Sequence, residues 1–191
     1  ALVADAGLLR IELATPEGAA SELQGGEQTH FTVWLDMDSL RATTPLAWVH
    51  RPALVQVDAA WCEQCQVFPF FTAGAAGDDF SKLMHDALES KNSFFAKREI
   101  ADEYGWRHFG DLYADHENEH YAGPKPVVSH YNNQYDGLSG LLLQYIRSGD
   151  TRWWQLADPL ARHLYDIDIY HTDRDRPAYS GGMFWHTDHY R

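Results

Sequence analysis

Cysteine is nearly missing. Two thiols, Cys62 and Cys65, stand in 191 residues, too few for a zinc site of four thiolates within one molecule. Long apolar runs are missing too. No stretch approaches 18 apolar residues, so nothing reads as a membrane-spanning helix, and the N-terminus lacks the basic and then apolar pattern of a secretory signal. Cations are scarce: 15 Lys plus Arg face 28 Asp plus Glu, a formal net charge of -13. Such a chain repels phosphate backbones, which argues against nucleic acid as a partner, and it holds a polyanionic substrate only through a local cluster of Arg and His. With 45% hydrophobic and 23% charged residues the chain can bury a core, so general disorder is excluded. Its length suits one domain or one and a fraction.

Tyrosine is missing from the first 103 residues. All ten Tyr lie from Tyr104 onward, with eight of eleven His and four of seven Trp. Tyr, His and Trp together line wet clefts, where rings stack and polar tips bond, more than they fill ordinary cores. The second half therefore reads as a binding surface.

Periodicity predicts a mainly α protein with an N-terminal β portion. Leu9, Ile11 and Leu13 alternate with Arg10 and Glu12, and Phe31, Val33 and Leu35 with Thr32 and Trp34, as strands with one buried face do; Gly25-Gly26 marks a turn between them. Pro45 to Val57 is apolar but interrupted by proline, hence edge strand or linker. From Asp78 the pattern turns helical. Phe80, Leu83, Met84, Ala87 and Leu88 follow Asp78 and Asp79 as possible N-caps, and a second run extends from Ser93 to about Tyr104. A helical hairpin follows, its first stripe running from Tyr131 to Ile146 and its second from Trp153 to Tyr165. Gly149 suits the αL position after the first helix and Asp150 the next cap. Pro159 either kinks the second helix or opens a fresh one capped by Asp158. Gly137 and Gly140 predict close approach of a backbone or ligand. The division expected is 1–77, a β region with linker, and 78–191, helical hairpins.

Cys62-Glu-Gln-Cys65 spells a redox dithiol, but that chemistry needs a βαβ setting which the flanking residues do not supply. His116-Glu117-Asn118-Glu119-His120 matches the two-imidazole zinc motif with Glu117 as base. Pro126 occupies the third-ligand position of the longer pattern and the flanks are polar, so His116 and His120 are only weak candidates as metal ligands and a zinc metallohydrolase is a minor alternative. No cofactor is required by the sequence; a divalent cation is possible. Ser129 to Tyr135 is the densest polar and aromatic segment, at an expected helix start where N–H groups favour a carboxylate. There His130 and Tyr131 offer acid and base, and Asn132 and Asn133 neutral donors. The bland reading makes Ser129 a cap and Tyr135 core. Gly181 to Arg191 is the other rich cluster: Gly181-Gly182 permits close approach, and His186 and His189 flank Asp188. Trp106 stands beside Arg107, a stacking ring next to an anion-binding fork, and Asp111 and Asp115 form a carboxylate pair one turn apart.

Leu23 to Glu27, Tyr104-Gly105-Trp106-Arg107 through Asp111-Leu112-Tyr113, Ser129 to Asp136, and Gly149-Asp150 with Trp153 and Trp154 together resemble the rhamnogalacturonan exolyase group, polysaccharide lyase family 26. The resemblance implies the end of a β-sandwich followed by a partial α/α toroid, in a fragment of a longer parent chain that is extracellular or periplasmic if that parent carries a signal peptide. It implies β-elimination on a uronic-acid-containing polysaccharide or oligosaccharide; the acidic charge and the lack of apolar runs add the expectation of no nucleic-acid or membrane partner. On that expectation Asn132 and Arg107 neutralise the substrate carboxylate, and His130 or His186 exchanges protons with Tyr131. Trp106, Asn133, Tyr135, Trp185, His189 and Tyr190 line the subsites. The alternatives are a glycoside hydrolase of the α/α toroid class, using Asp111, Asp115 or Glu117, and a non-catalytic carbohydrate-binding or scaffold domain.

Overall fold

A computed structural model describes residues 2–5, 7–12, 23–36, 46–49, 51–74, 77–112 and 133–183. These residues are mainly helical. Two short strands, β1 (Leu2–Asp5) and β2 (Leu8–Ile11), pair antiparallel around Gly7, with Leu2 opposite Ile11. Helix α1 spans Ala59–Cys65, α2 Asp79–Glu89, α3 Phe94–Ala101, α4 Gly137–Ser148 and α5 Thr151–His163. A wider π-helical turn, Leu164–Asp168, continues directly from α5.

The helices start where short polar side chains can satisfy the free N–H groups of a first turn. Asp78 accepts from Ser81 N at 2.6 Å, Ser93 from Ala96 N at 3.2 Å and Asp150 from Arg152 N at 2.9 Å. Gly149 closes α4 in the left-handed region, its N–H bonded to Tyr145 O at 2.8 Å, as the sequence predicts. The α4–α5 hairpin carries the core. Leu141 and Tyr145 of α4 pack with Trp153, Leu156, Ala157 and Leu160 of α5 and with Leu88 of α2. Leu156 and Leu160 are fully enclosed, and burial of such a side chain stabilises by roughly 1.5–3 kcal/mol. Extended residues 51–58 lie along this hairpin, held by Tyr145 Oη donating to Val55 O (2.8 Å) and Gln56 Nε2 to Gly149 O (3.0 Å).

Several expectations give way. The alternating residues of β2 are all exposed, and Phe31 to Leu35 form no ladder among the described residues; alternation marks a face that is able to bury, and here nothing described covers it. The second helical run stops at Ala101, because Asp102 turns left-handed. α4 begins at Gly137 rather than earlier in the stripe, so Tyr135 sits in a turn and is exposed. Gly137 is thereby an opening residue rather than an interior one, and a Cβ on Gly140 would meet open space, so Gly140 marks no close approach. Pro159 lies inside a continuous α5. The Cys-x-x-Cys pair falls on α1, with Cys62 buried, Cys65 exposed and both free.

Candidate functional site

α5 serves two surfaces. His163 points inward into a cluster of polar groups, while Gln155, Asp158, Pro159 and Arg162 recur at helical spacing along the wall of an open groove of about 1120 Å³. The opposite walls are the extended stretch Thr29 to Thr32 and the loop holding Tyr104, Trp106 and Phe109; Trp154 and Tyr165 add two further rings. Six aromatic rings therefore face the groove, Phe31, Tyr104, Trp106, Phe109, Trp154 and Tyr165, with polar groups set between them.

Beneath it, the His163 imidazole is fully enclosed between two carboxylates. Its Nε2 lies 3.2 Å from Asp111 Oδ2 and 3.6 Å from Asp168 Oδ1. Burial alone pushes the imidazole pKa down, but the two adjacent carboxylates, Asp111 first and Asp168 second, outweigh it and lift it to about 10. His163 is therefore an imidazolium at neutral pH. Gly110 makes the cluster possible. Its φ is +105° and a Cβ there would sit 2.2 Å from Pro159 O, so only glycine lets the loop touch the backbone of α5 and deliver Asp111 to His163.

The π-helical turn then splits two carboxylates. Residues two apart on a helical turn face nearly opposite ways, and Asp168 turns inward to His163 while Asp166 turns to the groove. Asp166 Oδ1 accepts from His30 Nδ1 at 2.5 Å and its Oδ2 from His30 N at 3.1 Å. The His30 ring leans on Tyr165 with centroids 5.5 Å apart, and His171 backs Tyr165 from the edge at 5.3 Å. On the loop, Tyr104 stacks on Phe109 at 5.9 Å and donates its hydroxyl to Glu99, which raises the phenol pKa. Arg98, pushed down in pKa by burial, lies 5.0 Å from the Phe109 ring and supports the loop from below.

The expected site residues separate. Trp106 lines the groove. Arg107 lies 4.7 Å from the Trp106 ring and donates to Glu27 Oε2 at 3.2 Å; this largely buried guanidinium is engaged by a carboxylate of its own chain and is not on the groove wall. Asn133 joins the buried cluster, donating to Asp168 Oδ2 at 2.9 Å. Tyr135 stands apart, exposed. Asp111, the hydrolase candidate, is 2% exposed and serves His163, not solvent. His116, His120, His130, Tyr131, Asn132, Trp185, His186, His189 and Tyr190 lie outside the described residues, as do Asp115 and Glu117. Among the described residues no group of three or more His, Cys, Asp or Glu is arranged to hold a metal ion.

His30, Asp166 and His163 escaped sequence reasoning. One signal was present: His163 and Asp168 fall on the inward, apolar face at the end of α5 and in the turn that follows it, and charged groups at such positions are costly unless paired. No family model, curated protein or solved structure matches the chain.

Proposed function

We propose that this chain is a carbohydrate-active protein, a polysaccharide lyase acting by β-elimination on a uronic-acid-containing polysaccharide such as rhamnogalacturonan. One observation carries the reading: an open, aromatic-walled groove whose exposed imidazole, His30, is gripped by a shielded carboxylate, Asp166. Sugar rings offer flat apolar faces to Trp and Tyr, and their hydroxyls offer hydrogen bonds at the edges. A groove of this composition suits an oligosaccharide better than a phosphate backbone, which the chain's acidity disfavours. Elimination needs a base, an acid toward the leaving oxygen, and a cation near the uronate carboxylate. Arg162, on the groove wall and presently beside Asp158 at 3.2 Å, supplies the cation without leaving the helix. Asn132, His130, Tyr131 and His186 belong to the same proposal as further groups of the elimination site, and Trp185, His189 and Tyr190 as subsite residues. The resemblance to rhamnogalacturonan exolyases supports the reading and carries with it the finer architecture, the end of a β-sandwich followed by a partial α/α toroid.

The test is direct. The natural full-length protein mixed with rhamnogalacturonan should release an unsaturated uronate, seen as rising ultraviolet absorbance. Reducing ends appearing without that absorbance, or turnover of a neutral glycoside alone, would transfer the reading to a hydrolase.

A further inference from the structure

The groove reading leaves open which group moves the proton, and the inference that follows rests on that reading. We infer that His30, oriented by Asp166, is the base and acid of the elimination, a pair formed between residues 136 positions apart in the chain.

Asp166 grips His30 twice, through the backbone N–H and through Nδ1, and its own carbonyl accepts from Gln28 N at 2.9 Å. Residues 28 to 30 are thus sewn to the π-helical turn by three hydrogen bonds, where no strand ladder among the described residues holds them. A carboxylate only accepts, so Nδ1 carries the ring proton and Nε2 presents its lone pair. The accessibilities match that division: the His30 side chain is 57% exposed and the Asp166 side chain 14%. A reactive nitrogen open to substrate, with its orienting carboxylate shielded from water, is what a general base requires. The ring plane is set as well. Tyr165 flanks it, and His171 Nε2–H donates to Tyr165 O at 2.5 Å, fixing that residue's backbone from behind.

The step balances within the pair and the substrate. Nε2 takes the proton from the carbon next to the uronate carboxylate, and the C–H electrons pass into an enolate. The enolate collapses to a carbon–carbon double bond as the bond from the neighbouring carbon to the glycosidic oxygen breaks. That oxygen takes the proton back from Nε2–H, and the imidazole returns to its starting state. No oxidant, reductant or further reactant enters.

The alternative is that His30 and Asp166 are a surface ion pair of little consequence, and kinetics separates the two. In the full-length protein acting on rhamnogalacturonan, His30→Ala should lower kcat by about 10²–10⁴-fold, with affinity for a rhamnogalacturonan oligosaccharide held within about threefold. Added imidazole should restore part of the rate to His30→Ala. Asp166→Asn, which leaves the ring but unfixes its tautomer, should cost about 10–100-fold in kcat. An active wild type with His30→Ala or His30→Gln retaining kcat within about threefold would overturn the inference and leave the lyase reading standing. So would a loss expressed only in KM, or a kcat loss that imidazole does not relieve in a variant whose oligosaccharide binding is intact. A wild type that yields no unsaturated product overturns the lyase reading itself.

Discussion

Alkali should destabilise this protein well before its tyrosines ionise, because His163 is held as an imidazolium between Asp111 and Asp168. Its pKa is about 10 in the folded chain against 6.5 for the ordinary group. Between those values the folded state keeps a proton that the unfolded state has released, so stability falls as pH rises through the interval; below 6.5 both states are protonated and the contribution is complete. The slope approaches a factor of ten in the folding equilibrium per pH unit, which integrates to about 2–3 kcal/mol lost between pH 7 and 9. For a domain of this size that corresponds to a Tm lower by about 5–10 °C. Urea unfolding at half-unit steps of pH measures it, with imidazole NMR reporting directly that one histidine keeps its proton to pH 9. Replacing His163 by Gln should lower stability at pH 7 by about 3–5 kcal/mol, since two buried carboxylates lose their counterion, and should flatten the slope. A wild-type curve flat to within about 0.5 kcal/mol over pH 7–9, or a His163 resonance titrating near 6.5, refutes the reasoning.

Other outcomes follow from single contacts. Gly110→Ala forces a side chain into the left-handed region and into Pro159 O; it should cost about 3 kcal/mol or more by thermal denaturation, and a change under about 0.5 kcal/mol would mean that the loop does not need this approach. Trp106→Ala should weaken oligosaccharide binding about tenfold by calorimetry, the equivalent of about 1.4 kcal/mol, while stability stays nearly unchanged because the ring is partly exposed. A thiol reagent should modify Cys65 in the native protein and Cys62 only on unfolding, since Cys62 is 4% exposed; equal reaction at both would place α1 differently.

The hairpin was legible because its signals are local. A leucine and aromatic stripe at helical spacing, Gly149 as a left-handed stop and Asp150 as a cap act within a few residues of themselves, and both helices follow from them. Asp78 and Ser93 announced their helices in the same way. The strands were less legible, since alternation at Phe31 to Leu35 states which side chains share a face and not whether a neighbouring strand arrives to pair. Of the expected site, Trp106 reaches the groove, whereas Arg107 and Asn133 are taken up by Glu27 and Asp168. Carboxylates from distant parts of the chain decided those two positions, and spacing carries no record of them. His30 was invisible for the same reason. A single histidine in an extended segment acquires meaning only when Asp166 is brought beside it.

The π-helical turn is where core and groove become one problem. Pro159 lacks the N–H that would bond Gln155 O, so α5 is already weakened in its third turn, and its end widens until Ile169 N bonds Leu164 O at 3.0 Å. π-helical turns cost hydrogen-bond geometry and tend to persist where they aim functional side chains. Here the widened turn sends Asp168 down to a buried imidazolium and Asp166 out to His30. The two contacts share one turn: Asp168 ties it to the buried imidazole, and Asp166, two residues earlier, meets the exposed ring. A buried charge cluster and an open groove therefore meet at the same five residues, and a change to the turn's hydrogen bonding reaches both.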